Sequence, residues 1–162
     1  MKKIKQRINT LLNQSYWVSW DAHRNNFGDI LTPHIVAHFT NKKVRRAPSF
    51  MFPYIRHFFV IGSILQKSTS KTEVWGSGFI SAKSKCNEVP KKIHAVRGPL
   101  TKAKLDADGV TCPEVFGDLA LLMPDIYNPS FKKKYKVGIL PHYVDKKNEW
   151  LNQFVDVEDI LI

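Results

Sequence analysis

Short apolar runs alternate with polar or glycine-bearing turns along most of the chain. Ser15-Tyr16-Trp17-Val18-Ser19-Trp20, Phe58-Phe59-Val60-Ile61, Glu73-Val74-Trp75, Ile93-His94-Ala95-Val96, Val115-Phe116 and Tyr135-Lys136-Val137-Gly138-Ile139-Leu140 have the length and the β-branched or aromatic content of strands. Helical spacing appears between some of them. Ile30, Leu31, Ile35 and Phe39 trace one helix face, with Pro33 expected near the first turn, where its missing N–H costs least. A second helix is expected from Leu100 to Asp108, stopped by Gly109. Ile4, Ile8, Leu11 and Leu12 share a face at helical spacing, so residues 1–14 are expected to form an amphipathic helix, packed on the domain or lying on a membrane surface. Apolar strands alternating with helices imply an α/β fold, a Rossmann-like parallel sheet with helices on both faces. The expected domain covers residues 15–145, and residues 146–162 begin a further segment.

Composition narrows the classes. A chain of 162 residues suits one domain. Its 43% hydrophobic and 12% aromatic content exclude a disordered chain. No apolar run approaches the ~20 residues of a membrane span. Cys86 and Cys112 are too few for a disulfide scaffold, and reduced thiols in the cytoplasm are the expectation. The basic start, Met1-Lys2-Lys3, resembles a signal peptide only until Asn9, Asn13 and Gln14 interrupt the apolar run.

Charge adds a direction. Net charge is +11, and residues 1–100 hold 17 of the 25 basic groups but 4 of the 14 acidic ones. Such a half attracts anions: nucleic acid, acidic lipid, phosphorylated metabolites or acidic polysaccharide. Lys132-Lys133-Lys134 before Tyr135 reads as a solvated loop, and no RNP motif, zinc finger or basic zipper is present. Nucleic acid is therefore not an expected partner.

The informative motifs end strands, where ligands bind in open parallel sheets. Asn26-Phe27-Gly28-Asp29 opens a helix; its glycine admits close backbone approach, and Asp29 either caps the helix or touches a ligand. Gly62-Ser63 and Gly76-Ser77-Gly78 serve phosphate or sugar contact, or tight strand–helix packing. Neither belongs to a G-x-G-x-x-G or Walker motif. Arg97 stands between a strand and the helix begun by Pro99, placed to fork onto a phosphate or carboxylate or to form a structural ion pair. Asp118 after Gly117, and His142 between Pro141 and Tyr143, complete the set. His142 could move protons near neutral pH or be an ordinary loop histidine. No metal motif is recognisable.

In order, Asn26 to Pro33, Ile61 to Leu65, Val74 to Phe79, Val96 to Thr101, Gly117 to Leu122 and Gly138 to Asp145 resemble the polysaccharide pyruvyl transferase family, over roughly residues 15–145. Leu119 departs from it, where the family is expected to carry proline. The resemblance implies one half of a fold similar to GT-B glycosyltransferases. It implies transfer of pyruvate from phosphoenolpyruvate, as a ketal, to a sugar of a bacterial exopolysaccharide, cell-surface glycan or lipid-linked precursor. It implies no cofactor and no metal, in a cytoplasmic protein with peripheral contact to the inner membrane face. Arg97 maps to a donor-binding arginine. Gly28 and Asp29 map to the family's Gly-Asp helix start, a substrate contact. From their own positions at the strand ends, Asn26, Gly62, Ser63, Gly76, Ser77, Gly78, Asp118 and His142 are further candidate substrate contacts, with His142 also a catalytic candidate. The family's second half carries a Ser-x-His-Gly-like motif that this sequence lacks. The chain is thus expected to be a truncated form, weakly active or inactive alone. Two other readings stay open: a GT-B-like glycosyltransferase using a sugar nucleotide, and a non-enzymatic anion- or partner-binding module.

Overall fold

The computed structural model describes residues 15–20, 26–142, 144–155 and 160–161. The amphipathic helix expected over 1–14 lies outside them. The chain forms two compact units, residues 1–128 and 129–162.

The first unit is built on a five-stranded sheet. Its strands are β1 (Ser15–Ser19), β2 (Lys43–Arg46), β3 (His57–Phe59), β4 (Thr72–Trp75) and β5 (Lys92–Ala95). They lie in the order β2-β1-β3-β4-β5, and every pairing is parallel. Helix α1 (Phe27–Thr40) joins β1 to β2, and α2 (Pro99–Ala107) follows β5. A 3₁₀ turn at Leu119–Leu122 runs into the short helix α3 (Met123–Ile126). The expected Rossmann-like α/β architecture is the one observed.

Side-chain alternation puts helices on both faces. Val18 of β1 sits beside Phe58 of β3, and both pack with Ile35 and Val36 of α1. Phe59 and its partner Val74 point the other way, because successive strand residues alternate. There Val74, Val96, Leu65 and Phe79 close over Leu105 of α2. Each large apolar side chain fully buried contributes about 1.5–3 kcal/mol, so the two layers hold the sheet between them.

Several local features differ from expectation. Helix α1 starts at Phe27, so Pro33 lies in its second turn rather than its first. The helix continues because its apolar face is anchored by the fully buried Ile35 and the nearly buried Val36. Asn41 ends it in the left-handed region at φ 50°, its N–H donating to the Ala37 carbonyl. The charged stretch Lys43–Arg46 carries no strand signal, yet forms the edge strand β2. Its arginines are accommodated: Arg45 lies 5.9 Å from the Trp17 ring, and Arg46 Nε donates to the Trp20 carbonyl at 3.2 Å. The connection from β3 to β4 uses a 3₁₀ turn at Leu65–Lys67 in place of an α-helix. The Val115-Phe116 run shrinks to one parallel bridge between Val96 and Phe116.

In the second unit the expected Tyr135–Leu140 strand reduces to β6 (Val137–Gly138), paired in parallel with β7 (Ile160–Leu161). A 3₁₀ helix spans Glu149–Phe154, capped by Asn148. Among the described residues, no helix is long and apolar enough to cross a membrane.

Candidate functional site at the carboxyl end of the sheet

In this strand order the chain leaves β1 toward β2 and leaves β3 toward β4. The crevice beyond the carboxyl ends of β1 and β3 is where open α/β sheets bind ligands. Two of the sequence motifs meet there. A Cβ added to Gly28 would lie 3.5 Å from Ile61 Cγ2 and 3.4 Å from Asn26 Oδ1, so the start of α1 packs against the chain leaving β3. The helix cap is Asn26, not Asp29. Asn26 Oδ1 accepts from the Asp29 N–H at 3.2 Å, which leaves Asp29 in the first turn, where the helix dipole favours a carboxylate.

The loops after β3 and β4 are stitched together. Ser77 Oγ donates to the Gly62 carbonyl at 2.9 Å, the Gly78 N–H donates to the same oxygen at 3.1 Å, and the Leu65 N–H donates to the Gly78 carbonyl at 3.1 Å. Ser77 is fully buried and also accepts from the Ile64 N–H at 3.5 Å. Its hydroxyl therefore joins two loops. Gly76 has φ +117°, and a Cβ there would lie 2.7 Å from the Gly117 carbonyl oxygen. That glycine is needed for close packing of two backbones. Gly62, at φ +98°, has nothing within 4 Å of its added Cβ position, so its turn faces open space.

Arg97 is fixed by these loops. Its Nη1 donates to Ser63 Oγ at 2.6 Å and its Nη2 to the Phe79 carbonyl at 3.0 Å. A Cβ on Gly78 would come within 3.0 Å of Nη2, so a side chain there would displace the guanidinium from this position. Both partners are neutral, and among the described residues no carboxylate lies within ion-pair distance of Arg97. The structural ion pair weighed from the sequence is absent from that set. A guanidinium has five N–H donors, so two hydrogen bonds orient it and leave others for a ligand. The arrangement is an exposed cation aimed by loops from three strands, suited to a phosphate or carboxylate.

The remaining candidates divide. Asp118 Oδ1 accepts from the Ala120 N–H at 2.9 Å and caps the 3₁₀ turn. Leu119 is packed into the α1-side core. His142 is an exposed residue of the second unit, its carbonyl accepting from the Asp145 N–H at 2.8 Å. Among the described residues, no group of three or more His, Cys, Asp or Glu could hold a metal ion. Sequence reading missed Gln66, whose Nε2 donates to the Ser63 carbonyl at 3.0 Å and steadies the residue that holds Arg97. Nothing in the sequence around Gln66 signals this, since it depends on the 3₁₀ turn placing the amide under Ser63.

Fold and site together define a Rossmann-like parallel α/β protein with a preformed cationic position at the carboxyl end of its sheet. The chain is similar to an uncharacterized protein of Acanthamoeba polyphaga mimivirus, 29% identical over 128 residues, covering 75% of this chain and 43% of that protein. It thus spans less than half the length of that relative. No family model matches the chain, and no solved structure matches it.

Proposed function

We propose that this chain is a polysaccharide pyruvyl transferase-type domain that binds phosphoenolpyruvate, with Arg97 gripping one of the donor's anionic groups. One observation carries the reading: Arg97, held by Ser63 and the Phe79 carbonyl with no carboxylate partner among the described residues, stands where motifs from β3, β4 and β5 come together. In this reading the activity of the whole protein is pyruvyl transfer to a sugar hydroxyl pair of a cell-surface glycan or its lipid-linked precursor. The chemistry requires cations for the donor's phosphate and carboxylate, and an acid to protonate the enol carbon. Arg97 supplies one of those cations. The place of action in this reading is the cytoplasm, with peripheral contact to the inner membrane face.

Titration calorimetry tests it. Phosphoenolpyruvate is expected to bind and a uridine diphosphate sugar to bind more weakly, with Arg97→Ala losing phosphoenolpyruvate at least about tenfold, as for a charged hydrogen-bonding partner. A reversed preference would transfer the reading to a sugar-nucleotide glycosyltransferase. Indifference to both ligands would leave a non-enzymatic module.

A further inference from the structure

Next to Arg97, on the α2 face of the sheet, is a compartment of about 470 Å³. Phe79, Ile80, Leu100 and Thr101 form its walls together with Arg97 and Lys104. Its character differs from that of the glycine turns. Leu100 is 87% exposed and Ile80 70% exposed, so two aliphatic side chains stand in water around a concavity. Among the described residues its lining contains two cations and no acid. Lys104 is partly engaged, 3.3 Å from Asp108 Oδ2 and 5.5 Å from the centre of the Phe79 ring. Arg97 is held by two neutral oxygens, and among the described residues no carboxylate pairs with it. Gly78 keeps the wall between site and compartment thin: a Cβ there would lie 2.9 Å from Thr101 Oγ1 and 3.0 Å from Arg97 Nη2.

We infer that this compartment binds an aliphatic phosphate monoester, with the phosphate on Arg97 and the hydrocarbon over Phe79, Ile80 and Leu100. Apolar walls without a cation would take any oily group, and a cation without apolar walls would take any anion. The two side by side select a molecule that has both. Two cations in the lining match a dianionic phosphate better than a singly charged carboxylate. The volume lies within the roughly 300–1,000 Å³ of small-molecule sites. Phosphoenolpyruvate has no hydrocarbon body to fill it, so this ligand differs chemically from the proposed donor; the two would compete for Arg97, and the test below reads hexyl phosphate with no donor present.

The test compares hexyl phosphate, inorganic phosphate and hexanol by titration calorimetry on the full chain. Hexyl phosphate is expected to bind at least about tenfold more tightly than either of its halves, because each buried methylene adds to affinity. Leu100→Asp should abolish that advantage. Leu100 is exposed, so the variant should melt like the parent, and circular dichroism checks that it does. Arg97→Gln should abolish phosphate-dependent binding in both anions. Equal affinity for hexyl and inorganic phosphate, or hexyl phosphate binding that survives Leu100→Asp, would overturn the inference. Sedimentation with phosphatidic acid vesicles then separates the sources. Co-sedimentation lost in Leu100→Asp points to a membrane lipid phosphate, and its absence alongside tight hexyl phosphate binding points to a soluble ester.

Discussion

The two ends of the same sheet treat polar groups in opposite ways. At the amino ends of β3 and β4, polar groups are buried and consume one another. His57 is fully buried and stacked at 4.2 Å on Phe52. Its Nδ1 lies 2.9 Å from the Ile55 carbonyl and its Nε2 2.8 Å from Thr72 Oγ1. A neutral ring satisfies both contacts if Nδ1–H donates and Nε2 accepts. Thr72 Oγ1 also accepts from the Thr69 N–H at 2.8 Å, and Thr69 Oγ1 donates to the Phe52 carbonyl at 3.0 Å. Close by, Glu73 receives Arg56 through two bonds, at 2.7 and 3.2 Å, and His94 at 3.0 Å. At the carboxyl end the backbone turns on glycines, and Arg97 is held by neutral oxygens. Burial without a partner is costly, so the amino end closes its polar accounts internally. The carboxyl end is exposed and can leave a charge available. A charged residue thus points to function when it is oriented but not neutralised, and to architecture when it is both.

That contrast can be broken in graded ways. Gly76→Ala should have the largest effect, about 3 kcal/mol of lost stability in urea unfolding, because its φ of +117° and a 2.7 Å approach to the Gly117 carbonyl combine backbone strain with a clash. Retained stability would mean that the loops after β4 and β5 can separate freely. Glu73→Gln comes next, at about 1–2 kcal/mol. The figure is discounted because the Arg56 side chain is 59% exposed. Its affinity for phosphoenolpyruvate should not change, since the loss belongs to the amino end.

Acidification sharpens the same comparison. Burial pushes the His57 pKa down, only partly offset by its contact with the Ile55 carbonyl. The unfolded chain therefore binds a proton at a higher pH than the folded chain does. The stability this involves is fully present above about pH 6.5, the ordinary value for histidine, and is lost as pH falls below it. Burial alone would raise the Glu73 carboxyl, but the hydrogen bonds from Arg56 and His94 outweigh it and hold it below 4.5. Its contribution is present above that value and is lost on further acidification. Thermal melts from pH 7.5 to 5 should show the first decline, and His57→Gln should flatten it. The smallest effect on stability is expected from Arg97→Ala, within about 1 kcal/mol, because it removes hydrogen bonds at an exposed position. A melt that stays put while phosphoenolpyruvate binding falls would place Arg97 on the ligand side of the contrast. A collapse in stability would place it with the architecture.

Much of the fold was legible because its signals are local. Runs such as Phe58 to Ile61 and Glu73 to Trp75 carry strand content and stop at glycine, and α2 is bracketed by Pro99 and Gly109. Strand β2 was not legible, because its arginines are accommodated at an edge by Trp17 of β1 and by the carbonyl of Trp20 just beyond it. Asn26 and Asp29 are both good caps by type. Only the helix start at Phe27 decides between them.

The sequence by itself determined the class of fold, the glycine turns at the strand ends and the place of Arg97 at one of them, since each rests on neighbours a few residues away. The tertiary structure decided the rest. It assigned the Ser77 hydroxyl to joining two loops. It gave Arg97 the neutral partners Ser63 and Phe79, residues 34 and 18 positions distant in the chain, and set an apolar compartment next to the guanidinium. Such pairings arise only when parallel strands bring distant segments together, and no local pattern encodes which polar group will find its partner first.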